Sequence, residues 1–498
     1  MNTLVNLTAP SSCTACTAVR RPTALHRFPP AWLHRPITLN FIIMTAPAPP
    51  RIFGTDGVRG VANIEPMTVE TAVKLGRAAA HVFHRDQRRH RIVIGKDTRL
   101  SCYMVENALV AGICSMGTDA LLVGPLPTPG VAFITRSLRA DAGIVISASH
   151  NLYQDNGIKF FGADGYKLAR DVEQRMEQLI ASGELDAIRP TKTDVGKAYR
   201  IDDALGRYVE YAKQSFPKGM TLEGMRIVVD CANGAAYKAA PCILRELGAE
   251  VIVINNEPNG TNINENCGST HPEEIRKAVI ANHADAGIAL DGDGDRVIMA
   301  DENAREIDGD QILAIIALDW KQQGRLPNDV IVSTIIGNFG VERYLNSKGI
   351  RVERCDVGDR NVIFAMKEHG AALGGEPCGH IIVHEVTTTG DGMMAALQVL
   401  AVMKQHDTSL GRLCKDIQKY PAVSANITVP EKRPIEQLAA LAAARTECQR
   451  ALGGAARIIV RYSGTEHKLR LLVEGEDNRA IERALQQLTA AVRKDFNL

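Results

Sequence analysis

The sequence predicts an α/β protein with three related α/β layers of mixed, largely parallel strands and a smaller C-terminal α+β domain. Three observations carry this expectation. Helical and strand-like patterns alternate from about residue 65 to about residue 400, the order that crossover-connected parallel sheets require. Residues 225–254 and 329–373 each read as strand, turn, helix and strand, which is one βαβ unit apiece. The tail changes character, with RIIVRYS and LRLLVEG flanking a turn at 463–468 before one long helical pattern.

The elements follow in order. Thr68 caps a helix whose face carries Val69, Val73, Ala80 and Phe83, and the strand RIVIG follows at 91–95, since a Thr before an apolar 3.6-residue period is a start signal. A strand ends at Ile144-Val145-Ile146, another runs over Ala286–Leu290, and Val297-Ile298-Met299 forms its successor. In the second βαβ unit VIVSTI and RVERC are strands around a helix at Gly340–Ser347. Ile481, Leu485, Leu488 and Val492 mark one face of the last helix. At roughly 100–200 residues per domain, 498 residues hold about three or four domains. Their expected bounds are 50–190, 205–305, 306–417 and 422–498.

Residues 1–43 differ from the rest. No acidic residue precedes Asp56, and Arg20, Arg21, Arg27 and Arg35 stand among Pro, Ser and Thr. The segment lacks the amphipathic period of a transit peptide, and Met44 opens a fresh stretch. It reads as a disordered or non-native extension. Cys13 and Cys16 form a lone C-x-x-C with no second pair, a weak zinc signal.

Composition excludes several classes. Lys and Arg number 58 against 57 Asp and Glu, so the basic excess of a nucleic-acid binder is missing. No apolar run reaches the roughly 18 residues of a membrane span. Eleven scattered cysteines, an odd number, argue for reduced thiols in a cytoplasm.

Four loops carry chemistry. An apolar strand delivers Ser147-Ala148-Ser149-His150-Asn151 into a loop, where open α/β sheets place reactive groups. A serine needs a base or a metal to become a nucleophile, and His150 adjoins Ser149; the bland reading is a polar turn bonding its own backbone. Asp291-Gly292-Asp293-Gly294-Asp295-Arg296 sets three carboxylates at alternate positions between strands. They repel unless a cation sits among them, and oxygen-only ligands suit Mg²⁺. An EF-hand is the rival, but Arg296 occupies the position that needs Gly; a solvated acidic turn is the other alternative. Gly374-Gly375-Glu376-Pro377-Cys378-Gly379-His380 offers a carboxylate and an imidazole that can bond sugar hydroxyls or exchange a proton, or is a tight turn with an incidental His. Arg461-Tyr462-Ser463-Gly464-Thr465-Glu466 with Arg470 beyond it suits a phosphate cradle, or is a charged hairpin turn. Neither a G-x-S-x-G elbow nor a Walker A sequence occurs. Together the loops describe phosphoryl transfer on a sugar phosphate.

These loops resemble, in order and spacing, the α-D-phosphohexomutase family over residues 51–498. The strings that carry the resemblance are FGTDGVRG at 53–60, GKDTRLS at 95–101, SASHN at 147–151, DNGIKFF at 155–161, DGDGDR at 291–296, VGDR at 357–360, TTTGDG at 387–392 and SGTE at 463–466. FGTDG and TTTGDG favour its glucosamine branch over the phosphomannomutase/phosphoglucomutase branch. The resemblance implies four domains around a central cleft. It implies a phosphorylated Ser149, with one Mg²⁺ per chain held by Asp291, Asp293, Asp295 and a phosphoserine oxygen. Lys159 and His150 would sit beside that group, and Arg59 and Arg296 would stabilise transferring charge. Glu376, Cys378 and His380 would face the sugar, while Arg461, Ser463, Gly464, Thr465 and Arg470 would clamp the idle phosphate. The implied activity is interconversion of glucosamine 6-phosphate and glucosamine 1-phosphate through the 1,6-bisphosphate, in the cytoplasm, for cell-envelope precursors.

Five positions depart from the family pattern: Leu152, Asn361, Pro377, Cys378 and His467. Leu152 replaces a Pro, which predicts a less rigid loop, and Cys378 is a poorer hydrogen-bond partner than the usual Ser. A phosphomannomutase or phosphoglucomutase, a silent sugar-phosphate-binding homologue and a metal-dependent phosphatase are the competing readings.

Overall fold

The computed structural model describes residues 51–498, apart from residues 55, 85, 87, 464 and 465. Four sheets are present among the described residues. The first contains β1 (Val58–Val61), β2 (Arg91–Lys96), β3 (Asp119–Pro125), β4 (Ala142–Ile146), β5 (Asp155–Gly162) and β6 (Ala198–Arg200), in the order β1-β5-β4-β2-β3-β6. The second contains β7 (Arg226–Asp230), β8 (Glu250–Ile254), β9 (Ala286–Leu290), β10 (Val297–Asp301) and β11 (Glu306–Ile307), ordered β11-β10-β9-β7-β8. In the third, β12 (Val330–Thr334), β13 (Arg351–Cys355), β14 (Leu373–Gly375) and β15 (Ile381–Val383) are ordered β13-β12-β14-β15. The fourth is the antiparallel set β16 (Ala422–Thr428), β17 (Ala456–Tyr462) and β18 (Lys468–Gly475), with β18 central.

The first three sheets share one plan. Each has three adjacent parallel strands, β3-β2-β4, β8-β7-β9 and β13-β12-β14. Each then turns back through an antiparallel partner, β5, β10 or β15. The turn-back loop in the first layer holds Ser149, in the second the three aspartates, and in the third Glu376 and His380. One topological position, repeated three times, therefore supplies three of the four chemical loops.

Strands β4 and β9, AGIVI and AGIAL, are buried at every residue, as strands covered on both faces must be. The helices Gly309–Gln322 and Gly392–Gln405 lie in a core shared by the first three layers, and the latter is buried from Gly392 through Met403. The fourth sheet packs its own core beneath the helices Ala439–Leu452 and Asn478–Phe496. No helix of the described residues is long and apolar enough to cross a membrane.

The expected face of the first helix does meet the core, with Ala80 and Phe83 buried and Val69 and Val73 packed against it. Thr68 does cap Val69–Val82, its side chain accepting from the Thr71 N–H. The most deeply buried stripe runs beside it through Ala72, Leu75 and Ala79, and Val69 and Val73 are half-buried. Small residues win the inner face because the neighbouring helix Ser101–Cys114 crosses so closely that a Cβ on Gly76 would lie 2.6 Å from the Leu109 carbonyl oxygen.

Candidate active site

The serine loop is held by its backbone. Ser149 has φ of +54°, a left-handed conformation that a residue other than Gly or Asn adopts only when its surroundings impose it. Its N–H donates to Ser147 Oγ at 2.9 Å. Asn264 Nδ2 donates to the carbonyls of both Ser149 and Asn151 at 2.8 Å. The fully buried Arg99, paired with Asp97, donates to the same two carbonyls. Leu152 is 45% exposed at the loop tip, so rigidity comes from Asn264 and Arg99 rather than from the residue at that position. A Cβ on Gly292 would stand 2.6 Å from the Ser149 carbonyl, which is why the aspartate loop can approach this closely only through glycine.

That approach brings Ser149 Oγ to donate to Asp291 Oδ2 at 2.6 Å, with His150 Nδ1 3.3 Å from the same oxygen. Burial, then the positive charges of Arg296 and Arg59, lower His150 to about 4, so its imidazole is neutral near pH 7. One carboxylate oxygen from each of Asp291, Asp293 and Asp295 lies within 4.8 Å of the others, all buried. Asp293 Oδ2 accepts from Lys159 Nζ at 2.7 Å and Thr128 Oγ1 at 2.6 Å. Lys159 also stands 3.4 Å from Asp56 and 3.7 Å from Asp295. Burial pushes each carboxyl of the triad up. Lys159 together with the Thr128 hydrogen bond outweighs that for Asp293, and Lys159 with His380 and Arg296 for Asp295, but Asp291 stays well above the usual carboxylate range because its two neighbours add to the burial. Asp293 Oδ1 and Asp295 Oδ1 are buried and accept no hydrogen bond among the described residues. Such orphaned acceptors are costly. A hard cation would satisfy them, so the residues fit Mg²⁺.

The third loop closes the opposite wall. His380 is buried, its Nε2 accepts from the Gly390 N–H at 3.2 Å, and its Nδ1 is 3.6 Å from Asp295 Oδ2. The accepting Nε2 places the ring proton on Nδ1, toward Asp295. Glu376 Oε1 accepts from the Gly358 N–H at 3.0 Å, tying the sugar loop to VGDR. Asn361, in the departing position, steadies that turn by donating to the Val357 carbonyl at 3.1 Å.

A cavity of about 670 Å³ joins these parts, lined by Asp56, Arg59, Ser149, Asp295, Arg296, Glu376 and His380 among others. Two groups of expected residues stand outside this lining. Cys378 is exposed and absent from the lining, on a loop that turns at Gly379 (φ +88°), where a Cβ would strike the Val297 carbonyl at 1.9 Å. Arg461, Ser463 and Arg470 are also outside the cavity, on the hairpin of the fourth domain. Arg461 faces Arg470 across β17 and β18, and Arg470 donates to Ser463 Oγ at 3.2 Å. Burial and the Arg470 charge lower Arg461, while Asp356 beside VGDR acts on it in the opposite sense. Like charges directly opposite destabilise a hairpin, which an anion between them would relieve. Gly464 and Thr465 lie outside the described residues.

Sequence reasoning missed Asn264, Thr128 and Lys167, which belong to no recognised string. It quoted the strings holding Asp56, Asp97, Arg99 and Asp359 without assigning them roles.

Family profiles match four consecutive stretches: phosphoglucomutase/phosphomannomutase α/β/α domain I at residues 50–187, domain II at 206–305, domain III at 308–420 and the C-terminal domain at 425–491. The chain belongs to the phosphoglucomutase/phosphomannomutase family. Among members of these α-D-phosphohexomutases, the phosphoglucosamine mutase of Geotalea uraniireducens is 54% identical over 446 residues, covering 90% of this chain and 98% of that protein. A phosphoglucomutase/phosphomannomutase family structure from Burkholderia thailandensis superposes with a TM-score of 0.73 at 23% identity, covering 89% of this chain and 97% of that one. An Aspergillus fumigatus N-acetylphosphoglucosamine mutase, solved in complex with GlcNAc-6P and magnesium, gives a TM-score of 0.55 at 19% identity, covering 74% and 93%. At these identities the two structures share the family fold with this chain.

Proposed function

We propose that this chain is a phosphoglucosamine mutase, an isomerase that interconverts glucosamine 6-phosphate and glucosamine 1-phosphate in the cytoplasm. The observation that carries the reading is Ser149 Oγ bonded at 2.6 Å to a buried aspartate triad with orphaned oxygens, across a cavity from Glu376 and His380. The 54% identity to phosphoglucosamine mutases supports the amino sugar.

In this reading phosphorylated Ser149 transfers its phosphoryl group to the 1-hydroxyl of glucosamine 6-phosphate, giving glucosamine 1,6-bisphosphate. The bisphosphate turns in the cleft, and Ser149 Oγ then takes the phosphoryl group from the 6-position, releasing the 1-phosphate with the enzyme recharged. Ser149 with Asp291, Asp293 and Asp295 would hold Mg²⁺, which when bound neutralises charge on the transferring group. Lys159, kept protonated by Asp293, Asp56 and Asp295, supplies positive charge to the departing oxygen, and the proton given up by the attacking sugar hydroxyl ends on Ser149 Oγ, so Lys159 stays charged throughout. Arg59 and Arg296 border the same space and offset phosphoryl charge. Neutral His150 stands 3.3 Å from Ser149 Oγ without adding charge. Glu376 and His380 orient the sugar, with Cys378 at the rim. Arg461, Ser463 and Arg470, with Gly464 and Thr465, clamp the phosphate that is not reacting, which requires the fourth domain to meet the substrate from outside the cavity. The Ser149→Ala variant tests the assignment: it is expected to lack phosphoserine by intact mass and to lose mutase turnover, and near-normal turnover would refute it.

A further inference from the structure

Lys167 follows the turn after β5, and its backbone pairs with Phe161. That register sets it on the sheet face that also carries Lys159, two residues before Phe161. Its side chain is only 9% exposed, and its ammonium bridges two carboxylates from different domains, Asp56 of the first and Asp359 of the third. Asp56 is the carboxylate that also binds Arg59 at 2.6 Å and stands 3.4 Å from Lys159. Asp359 adjoins Gly358, whose N–H is held by Glu376. A continuous polar chain thus runs from Lys159 through Asp56, Lys167 and the VGDR turn to the sugar loop. Neighbouring contacts hold the same seam, with Thr388 Oγ1 donating to the Gly165 carbonyl at 2.7 Å and Arg360 paired with Glu173.

We propose that Lys167 is a positioning residue of the phosphoryl-transfer site, bridging Asp56 and Asp359 so that Lys159 and Arg59 take up their places only when the third domain and its sugar loop are docked. Lys167 engages Asp56 Oδ1, which leaves Oδ2 for Arg59 and Lys159. Without the bridge, Oδ1 is unpaired, the carboxylate is free to rotate, and both cations lose their reference point. The substrate sugar, gripped by the third domain, then no longer sets the geometry of the reacting end. This inference rests on the mutase reading above but names no sugar.

Lys167→Met, Lys167→Arg and Asp359→Asn test it, with kcat and KM expressed per phosphorylated Ser149 on glucosamine 6-phosphate and glucose 6-phosphate, alongside Tm. Misplacement of reacting groups by about 1 Å costs on the order of 100-fold, so Lys167→Met is expected to lower kcat/KM by about that factor through both parameters. Lys167→Arg, which keeps the bridge, recovers much of the loss. Asp359→Asn, which cuts only the third-domain half, mainly raises KM, and the double variant with Lys167→Met is no worse than Lys167→Met alone. Per-site kcat and KM within about twofold of the parent in Lys167→Met, with only Tm lowered, would overturn the proposal. Should Lys167→Met not fold, parental constants in Asp359→Asn do the same. A parent that prefers glucose 6-phosphate defeats the amino-sugar reading instead, and the variant-to-parent ratios on that sugar still decide the role of Lys167.

Discussion

Replacing Asp291 with Asn should make the metal-free protein more stable while destroying its activity. One oxygen from each of the three carboxylates lies within 4.8 Å of the others, and two unit charges at that distance repel by about 3 kcal/mol at an effective dielectric of 20. Lys159 sits nearest Asp293 and Asp295, so Asp291 is the member whose charge is least compensated, and its removal should return about 1–3 kcal/mol. The hydrogen bonds survive the change. Asn oxygen accepts the Arg296 N–H, and its amide donates to Ser149 Oγ, whose hydroxyl turns to His150 Nδ1, 3.3 Å away. The sign with pH follows from the raised Asp291. The fold keeps a proton that the unfolded chain sheds above about pH 4, so the parent loses stability as pH rises toward the folded value and the variant does not. Urea denaturation in EDTA at pH 5 and pH 8 should therefore show Asp291→Asn gaining on the parent as pH rises. Added Mg²⁺ should stabilise the parent and not the variant, and turnover should fall at least about 100-fold. A variant destabilised equally at both pH values, or Mg²⁺ stabilising both proteins alike, would refute the reasoning.

Asn264→Ala removes the two bonds to the serine-loop carbonyls; kcat should drop about tenfold, equivalent to roughly 1.4 kcal/mol, with KM little changed, and steady-state kinetics check it. Arg461→Ala removes one of two facing guanidinium groups, so Tm should hold or rise while KM for the sugar phosphate climbs about tenfold or more, consistent with loss of one charged hydrogen bond. Tyr208 donates to Asp391 Oδ2 at 3.0 Å, and burial lifts Asp391 to about 6. Because that bond favours the ionised acid, Tyr208→Phe should cost about 1–3 kcal/mol at pH 8 and less at pH 5, read by denaturant titration at the two pH values.

What was legible in the sequence was local. SASHN and DGDGDR announce themselves because each follows an apolar strand and carries its chemistry within a few residues, whereas GEPCGH alone reads equally as a tight turn with an incidental His. The βαβ unit at 225–254 is legible for the same reason, its strands β7 and β8 being apolar and its helix short. The equivalence of the three turn-back loops was not legible, since β14 and β15 are three residues each and leave no alternation to read. Adjacency alone did not tell whether His150 reaches Ser149: β4 ends at Ile146, and with the left-handed backbone at Ser149 the His150 ring comes within 3.3 Å of its Oγ. Asn264, Thr128 and Lys167 act from other elements, so only packing reveals them. The clamp residues were found as a group, but their separation from the cavity depends on how the fourth domain stands, which no short string encodes.

Phosphoryl transfer on an amino sugar is read out by a coupled assay of glucosamine 6-phosphate conversion to the 1-phosphate, with Mg²⁺ and a trace of bisphosphate. Glucose and mannose phosphates run in parallel. Glucosamine phosphate is expected to turn over fastest, with activity lost on adding EDTA. Folded, phosphoserine-bearing protein that converts none of the three sugars, or prefers glucose or mannose phosphate, would contradict the account.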